Sequence, residues 1–358
     1  MSRTNLDIKP MAVKPAQPFF TFYFLLFKMK KILQLLFEHK TLTRAQAREV
    51  LVNIAMGQYN EPEMTAFVTV FLMRSITIEE LQGFRDALLE LAVKVDLDGQ
   101  DTIDIVGTGG DGKNTFNIST LSCFIVAGAG QKVAKHGNYG ASSISGASNV
   151  MEQLGYRLSN DPGKLKREVA GANICFMHAP LFHPALKAVG SIRKNLGIRT
   201  FFNMLGPMVN PASPKFQLVG VYNLEMARIY TYLLQQTASS FAIIHSLDGY
   251  DELSLTSDAR VITNTGEQVM TPEQLGKRMV SPSDIYGGTT PEEAAKIFLH
   301  ILKGKGTWAQ NAVVFANAAM ALYCTGAYEN YEKAFEASVE SLESGRALAA
   351  LEKLRAMQ

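Results

Sequence analysis

The chain contains 358 residues, of which 47% are hydrophobic, and it carries a formal net charge of +2. This length and composition support a large core and predict two domains. The near-neutral charge and the absence of a long basic block in the sequence give no indication of a nucleic-acid partner. Cys123, Cys175 and Cys324 lie far apart in apolar stretches. They are therefore predicted to be buried thiols, not a disulfide framework or a zinc site, which favours a cytoplasmic location.

Residues 1–28 are predicted to form a poorly ordered N-terminal extension. The segment PFFTFYFLLFK, residues 18–28, is apolar but too short to cross a bilayer. No small-residue cleavage site of a signal peptide follows it, and MKKILQLLFEHKTLT, which begins at Met29, has the pattern of a domain start. We expect no membrane partner, while a role at a membrane surface stays open as an alternative.

Residues 29–98 are predicted to form a small helical domain. The segment ILQLLFEHK is amphipathic, and Thr43 is a suitable N-cap for a helix that ends at Gly57. Two further helices are predicted over residues 61–73 and 77–95, with little strand pattern between them.

The pattern changes at Asp101, where short β-rich runs alternate with helices. The strand candidates are IDIVGTGG, KVAKHGN, FQLVGVYN and FAIIHSLDGYDELSL. Residues 180–206 are predicted to form a helical insert, with Pro184 near a helix start, that could rejoin the N-terminal helices. From Pro291 onward the chain is predicted to be helical apart from loops. We therefore predict the α/β class: a small all-helical domain on a large α/β domain, residues 99–179 and 207–358, with a mostly parallel central sheet flanked by helices.

The glycine-rich run GTGGDGKNTFNIST, residues 107–120, lies between a predicted strand and a helix over 119–128. Glycine lets backbone N–H groups approach a phosphorylated ligand, and the helix start attracts anions. Gly107, Gly109 and Gly112 match the dinucleotide fingerprint, but the acidic residue required about 20 positions further on is missing, because VAKHGN is basic. Asp111 within the loop indicates a bridging cation or sugar hydroxyls. A glycine-rich turn without a ligand is the alternative.

A second cluster, KHGNYGASSISGASN at residues 135–149, follows a predicted strand. Lys135, the serine hydroxyls and the backbone N–H groups are suited to an anion, although a serine-rich loop alone is usually only a solvated loop. Its position after the glycine-rich run favours phosphate contact.

A third cluster comprises His178, His183 and Arg193. His183 and Arg193 are ten positions apart, which leaves them roughly 80° out of alignment on a continuous helix. They need not face the same point unless the helix breaks at Gly190. A structural role is the usual one for such residues, while carboxylate binding by Arg193 and pairing with an acid across the domain interface both stay open.

The fourth cluster is the adjacent pair Asp251 and Glu252 in GYDELSLT. Hard oxygen ligands of this kind hold Mg²⁺, and a solvated acidic turn is the alternative. Together the four clusters predict an Mg²⁺-dependent reaction of a phosphorylated sugar. No side chain stands out as a dedicated catalytic acid or base.

These motifs resemble the anthranilate phosphoribosyltransferase family. GTGGDGKNTFNIST, KHGN, HPALKAVGSIRKNLGIRTFFNMLGPMVNP and YDELSLT match its motifs in order, and the resemblance runs from Met29 to the C-terminus. It implies transfer of the 5-phosphoribosyl group of PRPP to the amino nitrogen of anthranilate, with release of pyrophosphate, in tryptophan biosynthesis. It also implies two Mg²⁺ ions, a homodimer, and the two-domain fold described above.

The resemblance also implies roles for individual residues. The PRPP site would comprise Gly107, Gly109, Gly110, Asp111, Thr115, Asn117, Ser119, Thr120, Lys135 and Ala147. Anthranilate would be held by Gly107, Asn138 and Arg193, with His183 near the path by which it enters. Asp251 and Glu252 would bind Mg²⁺, and Ser119 would help at the other ion.

The second cluster departs from the family pattern. The commoner form has Arg, Lys, Ser and Asp where this chain has Tyr139, Ile144, Ala147 and Asn149. Without a hydroxyl at position 147, Ser145, Ser148 or backbone N–H groups could substitute.

Two other functions are alternatives to this one. A pyrimidine nucleoside phosphorylase has a related fold and a similar KHG loop, but it would need Arg and Lys near a pyrimidine base. A non-catalytic relative that binds nucleic acid should have a basic face and eroded metal ligands, whereas Asp251 and Glu252 are intact here.

Overall fold

The computed structural model of the chain describes residues 28–140, 143–237 and 240–358. The predicted N-terminal extension therefore lies, apart from Lys28, outside the described residues. Within the described ranges, no helix has the length and apolar character needed to cross a membrane.

The N-terminal part of the structure is helical, as predicted. Its helices are α1 (Met29–Phe37), α2 (Arg44–Ala55), α3 (Glu61–Met73) and α4 (Ile78–Leu91). Thr43 is the N-cap of α2, as predicted, and its side chain accepts a hydrogen bond from the backbone of Gln46. Such caps satisfy N–H groups that have no partner within the helix.

The helix predicted over residues 77–95 is shorter in the structure, because α4 ends at Leu91. The following residues are extended and bonded elsewhere. The Val93 N–H donates to the carbonyl of Phe182, and the Val95 N–H donates to the carbonyl of Pro211. Tertiary hydrogen bonds therefore replace the last helical turn that the apolar pattern predicted.

Within the described residues, the strands form one seven-stranded sheet in the order β3-β2-β1-β4-β5-β6-β7. These strands are β1 (Thr102–Gly107), β2 (Lys132–Gly137), β3 (Ile174–His178), β4 (Phe216–Gly220), β5 (Ser240–Ser246), β6 (Ala259–Thr263) and β7 (Gly266–Met270). The pairs from β3 to β5 are parallel, and β6 and β7 add an antiparallel edge. The mostly parallel sheet is thus confirmed, while β3, β6 and β7 were not among the predicted strands.

The strand predicted from FAIIHSLDGYDELSL is too long, because β5 ends at Ser246. A turn follows, in which Gly249 N–H donates to the Ser246 carbonyl at 2.8 Å and Ser246 N–H donates to the Tyr250 carbonyl at 3.2 Å. The chain thus reverses before the acidic pair, and Asp251 and Glu252 follow this turn.

The remaining helices flank the sheet or form the insert. They are α5 (Ile118–Gly128), α6 (Ala147–Gln153), α7 (Pro162–Ala172), α8 (Ala179–Phe182), α9 (Pro184–Ala188), α10 (Gly190–Leu196), α11 (Leu224–Leu234), α12 (Pro272–Gly276), α13 (Pro291–His300), α14 (Trp308–Cys324), α15 (Tyr331–Glu343) and α16 (Arg346–Ala356). Short 3₁₀ turns at Phe201–Met204 and Gly206–Met208 complete the insert.

The insert packs against the N-terminal helices. Phe201 stacks on Phe84 of α4 with ring centroids 4.6 Å apart, and its edge contacts Phe71 of α3. Ala185 and Val189 are fully buried in the same apolar cluster as α1 to α4. Burial of this aromatic cluster joins segments about a hundred residues apart.

The order of the sheet determines where loops meet. After β1 the chain moves outward to β2 and β3, and then returns to the other side of β1 to form β4. The carboxyl ends of β1 and β4 therefore flank a crevice at the point where strand order reverses, which is where ligands bind in open α/β sheets. The glycine-rich run begins at the end of β1.

Candidate functional site

A cavity of about 240 Å³ lies at the carboxyl ends of β1 and β2. It brings the glycine-rich run together with the second cluster, the insert and the acidic pair. The predicted site residues that line it are Gly107, Gly109, Gly110, Asp111, Thr115, Asn117, Ser119, Thr120, Lys135, Asn138, Ala147, Arg193, Asp251 and Glu252. His183 is not among the described residues that line this cavity.

The glycine-rich run folds directly onto the acidic pair. Gly109, Gly110 and Gly112 have φ values of 65°, 78° and 75°, in the left-handed region that favours glycine. The Gly109 N–H donates to Oδ2 of Asp251 at 2.6 Å. A Cβ at Gly107 would overlap the Asp251 carboxylate. The loop thus needs glycine both for its conformation and for its close approach to Asp251.

The acidic pair is held from both sides. The Ser246 hydroxyl donates to the carbonyl of Glu252 at 2.7 Å. Asn317 of α14 bonds to both backbone groups of Leu253, the next residue, with each distance 3.0 Å. A Cβ at Gly220, the last residue of β4, would overlap the backbone of Asp251. Core elements therefore determine where these carboxylates lie.

Asp111, Asp251 and Glu252 form a carboxylate cluster. One ligand oxygen from each lies within 4.8 Å of the others, with Asp251 buried and the other two half-buried. Burial raises the pKa of Asp251 to about 7, and repulsion from Asp111 acts in the same direction. Burial also raises the pKa of Asp111, and it raises that of Glu252 well above its usual range. Like charges this close favour a bound cation.

Asp111 is the member of this cluster that the metal prediction did not include. Its presence in a phosphate-type loop had indicated a cation or sugar hydroxyls, but only the fold brings it to a pair about 140 positions away. Ser119, which was predicted to help at a second metal ion, lines the same cavity.

Lys135 is almost fully buried beneath the cavity. Its Nζ donates to the carbonyl of Ile105 at 2.6 Å. The charge of Lys135 lowers the pKa of both Asp104 and Glu252, against the larger effect of burial. Burial nevertheless raises the pKa of Asp104 to about 6.

Asp104 is a buried acid that the sequence analysis missed. Its carboxylate accepts hydrogen bonds from the His136 N–H at 3.2 Å and from Asn210 Nδ2 at 2.8 Å. Asn210 also donates to the carbonyl of Ala134 at 2.8 Å. Asp104 lies in the middle of a strand with apolar neighbours, so the sequence pattern did not distinguish it from an ordinary strand position.

Arg193 lies beside an aromatic wall of the cavity. Its guanidinium carbon is 5.7 Å from the ring centroid of Phe202, and both residues line the cavity together with Leu186 and Pro207. Burial lowers the pKa of Arg193. A half-buried guanidinium next to apolar side chains is suited to an aromatic ring that carries a carboxylate.

The helical insert is interrupted next to Gly190, the position at which the sequence analysis left a helix break open. Helix α9 ends at Ala188 and α10 begins at Gly190, so His183 and Arg193 do not share one helix. His183 is fully buried, and its ring lies 5.2 Å from that of His136, which does line the cavity. Burial lowers the pKa of His136 to about 3 and that of His183 to about 4. Both rings are therefore neutral near pH 7.

Hydrogen bonds of Asn149 and Ser148 hold the described part of the second cluster in place. Asn149 Oδ1 accepts hydrogen bonds from Gly140 N–H at 3.1 Å and Gly146 N–H at 2.9 Å. Ser148 Oγ lies 2.7 Å from Nδ1 of His178. Ala147 lines the cavity but offers only a methyl group and its backbone.

The prediction also omitted Arg199, which packs against the glycine-rich run. An added Cβ at Gly110 would contact the Arg199 guanidinium, and Arg199 exerts a favourable charge effect on Asp111. Its guanidinium carbon lies 5.1 Å from the ring centroid of Tyr222. An arginine in a helical insert gives no sequence indication of such a contact.

Comparison with family models defines the class of protein. Residues 30–92 match the helical bundle domain of the glycosyl transferase family, and residues 99–348 match the a/b domain of the same family. The fold and the matched ranges thus place the chain among these glycosyl transferases, with the helical bundle before the α/β domain.

Individual relatives narrow the class. Anthranilate phosphoribosyltransferase from Flavobacterium johnsoniae is 58% identical over 327 residues, which cover 91% of this chain and 99% of that protein. The protein of the same name from Bacteroides thetaiotaomicron is 57% identical over 325 residues, with coverage of 91% and 98%. The chain belongs to the anthranilate phosphoribosyltransferase family, so the predicted resemblance is confirmed.

Solved structures agree with this assignment. The crystal structure of anthranilate phosphoribosyltransferase from Thermus thermophilus matches with a TM-score of 0.84 at 30% identity, covering 91% of this chain and 98% of that one. The Saccharomyces cerevisiae enzyme in complex with PRPP and Mg matches with a TM-score of 0.85 at 26% identity, covering 92% and 97%. The predicted fold class is confirmed.

Proposed function

We propose that this chain transfers the 5-phosphoribosyl group of PRPP to the amino nitrogen of anthranilate and releases pyrophosphate, as a step of tryptophan biosynthesis. The observation that carries the proposal is one cavity that joins a carboxylate cluster, a glycine-rich loop and a guanidinium beside an aromatic wall. The carboxylate cluster suits the Mg²⁺ that accompanies pyrophosphate, and the glycine-rich loop suits the phosphate groups of PRPP. The guanidinium beside the aromatic wall suits anthranilate. The names of the relatives support the same reaction.

The PRPP site is proposed to use the glycine-rich run for close backbone contact. The proposed PRPP site comprises Gly107, Gly109, Gly110, Asp111, Thr115, Asn117, Ser119, Thr120, Lys135 and Ala147. Ala147 would contribute through its backbone. The left-handed glycines turn the chain so that N–H groups can approach phosphate oxygens.

The carboxylate cluster is proposed to bind Mg²⁺. Carboxylate oxygens are ligands that this cation prefers, and the buried Glu252 Oε2 has no hydrogen-bond partner within the described residues. Asp111, Asp251 and Glu252 would hold the metal, with Ser119 helping at a second ion, so that two ions complete the site. When bound, Mg²⁺ would neutralise the charge that develops on the pyrophosphate leaving group.

Anthranilate is proposed to bind at the aromatic wall. Arg193 would hold its carboxylate, Asn138 and Gly107 would orient its amine, and His183 would support this part of the site from behind His136. The bond from ribose C1′ to the pyrophosphate oxygen breaks, the bond from C1′ to the amino nitrogen forms, and the amine then loses a proton. A neutral aryl amine already carries its lone pair, so positioning can replace a dedicated base.

The direct test is an assay of the purified full chain with PRPP, Mg²⁺ and anthranilate. We expect anthranilate fluorescence to fall with time, and to stay constant when PRPP or Mg²⁺ is omitted. Unchanged fluorescence in the complete mixture would overturn the proposal. Phosphorolysis of thymidine or uridine would support the phosphorylase alternative, and salt-sensitive DNA binding would support the nucleic-acid-binding one.

We also propose that the protein is a homodimer. The support is an apolar face on α1 and α3, where Phe37 is 62% exposed and Met73 is 84% exposed, beside a groove that Leu36 and Val70 also line. An apolar groove with exposed large side chains at its edge is typical of an interface. A second copy of the chain is the occupant that we propose for it.

We propose two further features of the protein. The first is the division into a helical unit of residues 29–98 with the insert 180–206 and an α/β unit of residues 99–179 and 207–358. The second is a cytoplasmic location, supported by the free, buried thiols of Cys123, Cys175 and Cys324.

A further inference from the structure

Ser145 of the second cluster has a buried hydroxyl that no described residue bonds. Ser145 lines the cavity and is 8% exposed. Its Oγ is buried and makes no hydrogen bond to any residue that the structure describes. A buried hydroxyl without a partner costs free energy, because it has lost its bonds to water. A ligand that bonds to this oxygen would remove that cost.

Ser143 also lines the cavity, but it is only half-buried. Positions 147 and 148 offer no free hydroxyl. Ser148 is fully buried, and its hydroxyl is already paired with Nδ1 of His178 at 2.7 Å. Position 147 is alanine, which has no hydroxyl. Of the two serines that the sequence left as substitutes for position 147, only Ser145 therefore has a free polar atom at the cavity wall.

The backbone around Ser145 is held in place from two sides. Asn117, which precedes α5, donates from Nδ2 to the carbonyl of Ser145 at 2.8 Å. Asn149 accepts from the Gly146 N–H at 2.9 Å, and a Cβ at Gly146 would overlap the backbone of Gly140. The backbone that carries the Ser145 hydroxyl is thus held by Asn149 and by Asn117 of the glycine-rich run.

Asn117 also leaves an unused atom at the same wall. Its Oδ1 is buried and makes no hydrogen bond within the described residues. Amide oxygens accept hydrogen bonds and serine hydroxyls can donate them. A ligand that satisfies both must therefore supply a donor, such as a sugar hydroxyl, and an acceptor, such as a phosphate oxygen.

We propose that the Ser145 hydroxyl binds a phosphate oxygen of PRPP and so replaces the hydroxyl that Ala147 lacks. Asn117 and Asn149 are positioning residues for this contact. The inference rests on the proposed function, and it adds Ser145 to Lys135 and Ala147 as a residue of the second cluster that contacts the phosphorylated substrate.

The test measures PRPP binding by isothermal titration calorimetry with Mg²⁺ present. Since a hydrogen bond to a charged group contributes about 1.5–3 kcal/mol, Ser145→Ala should weaken PRPP binding on the order of tenfold or more. The KM for PRPP should rise while the KM for anthranilate stays close to that of wild type. Ser145→Thr, which keeps the hydroxyl, should retain most of the affinity.

Ser148→Ala is the matched control. It removes a hydroxyl three residues away that already has a protein partner, so its thermal midpoint should fall while its PRPP affinity stays within about twofold. Thermal melts of all variants confirm that they are folded. Unchanged PRPP affinity in Ser145→Ala, or equal weakening in Ser148→Ala, would overturn the inference.

Two simpler probes identify the phosphate involved. Weaker binding of ribose 5-phosphate to Ser145→Ala would assign the contact to the 5-phosphate, and weaker binding of Mg²⁺-pyrophosphate would assign it to the diphosphate. If Ser145→Ala binds both probes as tightly as wild type does, the proposed contact is contradicted. If wild-type protein does not bind PRPP at all, the proposed function itself fails, which is a separate result.

Discussion

The backbone N–H of Gly109 donates a hydrogen bond of 2.6 Å to Oδ2 of Asp251, a residue 142 positions further along the chain. This contact joins the loop after β1 to the segment after β5. It also places Asp111 within reach of Asp251 and Glu252. The phosphate-type loop and the metal-binding candidates are therefore one structural unit.

The first prediction concerns the space at Gly107. An alanine there would push its Cβ into the Asp251 carboxylate and displace it from the cluster. We expect Gly107→Ala to reduce kcat/KM by at least roughly tenfold, as expected for a misplaced catalytic group. Gly190→Ala is the control, because a Cβ added there has no described atom within 4 Å beyond its chain neighbours and its own helix backbone. Equal activity of the two variants would show that the close contact is not needed.

The second prediction distinguishes Asp111 from an ordinary loop residue. If Asp111 shares the metal with Asp251, then Asp111→Asn should raise the Mg²⁺ concentration needed for half-maximal activity by roughly tenfold, because one charged ligand is lost. Direct Mg²⁺ titration by calorimetry checks this without the reaction. Asp258→Asn, outside the cluster, should leave the Mg²⁺ requirement unaltered, and a similar shift in both variants would count against a specific role.

The third prediction concerns Arg193. Replacement by Gln removes the guanidinium beside Phe202, so the KM for anthranilate should rise roughly tenfold or more while the KM for PRPP changes little. Steady-state kinetics with each substrate varied in turn provide the measurement. Lys194→Gln alters the next, exposed residue of α10 and should leave both constants near wild type. A rise confined to the KM for PRPP would contradict the assignment.

The fourth prediction is a pH dependence of stability. Burial lowers the pKa of His183 in the folded protein to about 4, from an ordinary value of 6.5. Between these values the unfolded chain binds a proton that the folded one does not, so the free energy of unfolding falls as the pH falls from about 6.5 to 4. His183 should contribute on the order of 3 kcal/mol to this loss.

Urea unfolding at several pH values checks this effect. The free energy of unfolding of His183→Asn should depend less steeply on pH over that range than the wild-type value. His300→Gln removes an exposed imidazole and should keep a slope close to that of wild type. Parallel curves for wild type and His183→Asn would show that the buried ring does not resist protonation.

The fifth prediction concerns the apolar face on α1 and α3. A charge at Met73, which is 84% exposed, would be costly if a second copy covers it. Met73→Glu should therefore shift the mass measured by light scattering from dimer to monomer. Val269→Glu, at a 52% exposed position of β7, is the control. A wild-type monomer would refute the proposed homodimer.

The predicted strands agree with the structure where an apolar β-rich segment is followed by a glycine-containing loop. β1, β2 and β4 end at Gly107, Gly137 and Gly220, and these glycines marked the strand ends in the sequence. β3 is a fully buried run of five residues, and a run this short cannot be distinguished from a buried helix segment by periodicity. Asn264 and Thr265 connect β6 to β7, but β7 has mostly exposed side chains and no apolar alternation, so the sequence pattern did not predict the hairpin.

Most of the predicted site positions lie together in the structure, although the sequence did not show how they are arranged. Fourteen of the fifteen assigned positions line the cavity, and His183 lies behind it. The sequence did not show which distant segments would pack against each other. Burial of His183 depends on the breaks that separate α8, α9 and α10, and the use of Ser148 depends on His178 at the end of β3.

The sequence by itself determined the features that act over a few residues. The helix start at Thr43, the glycines of the run 107–120 and the chemical type of the Asp251–Glu252 pair follow from backbone conformation and ligand preference. Only the tertiary structure decided that Asp111 joins that pair, that Asp104 bonds to Asn210, and that Ser145 keeps a hydroxyl that no described residue bonds. These depend on strand order and on competition for hydrogen-bond partners between distant segments, which no local pattern encodes.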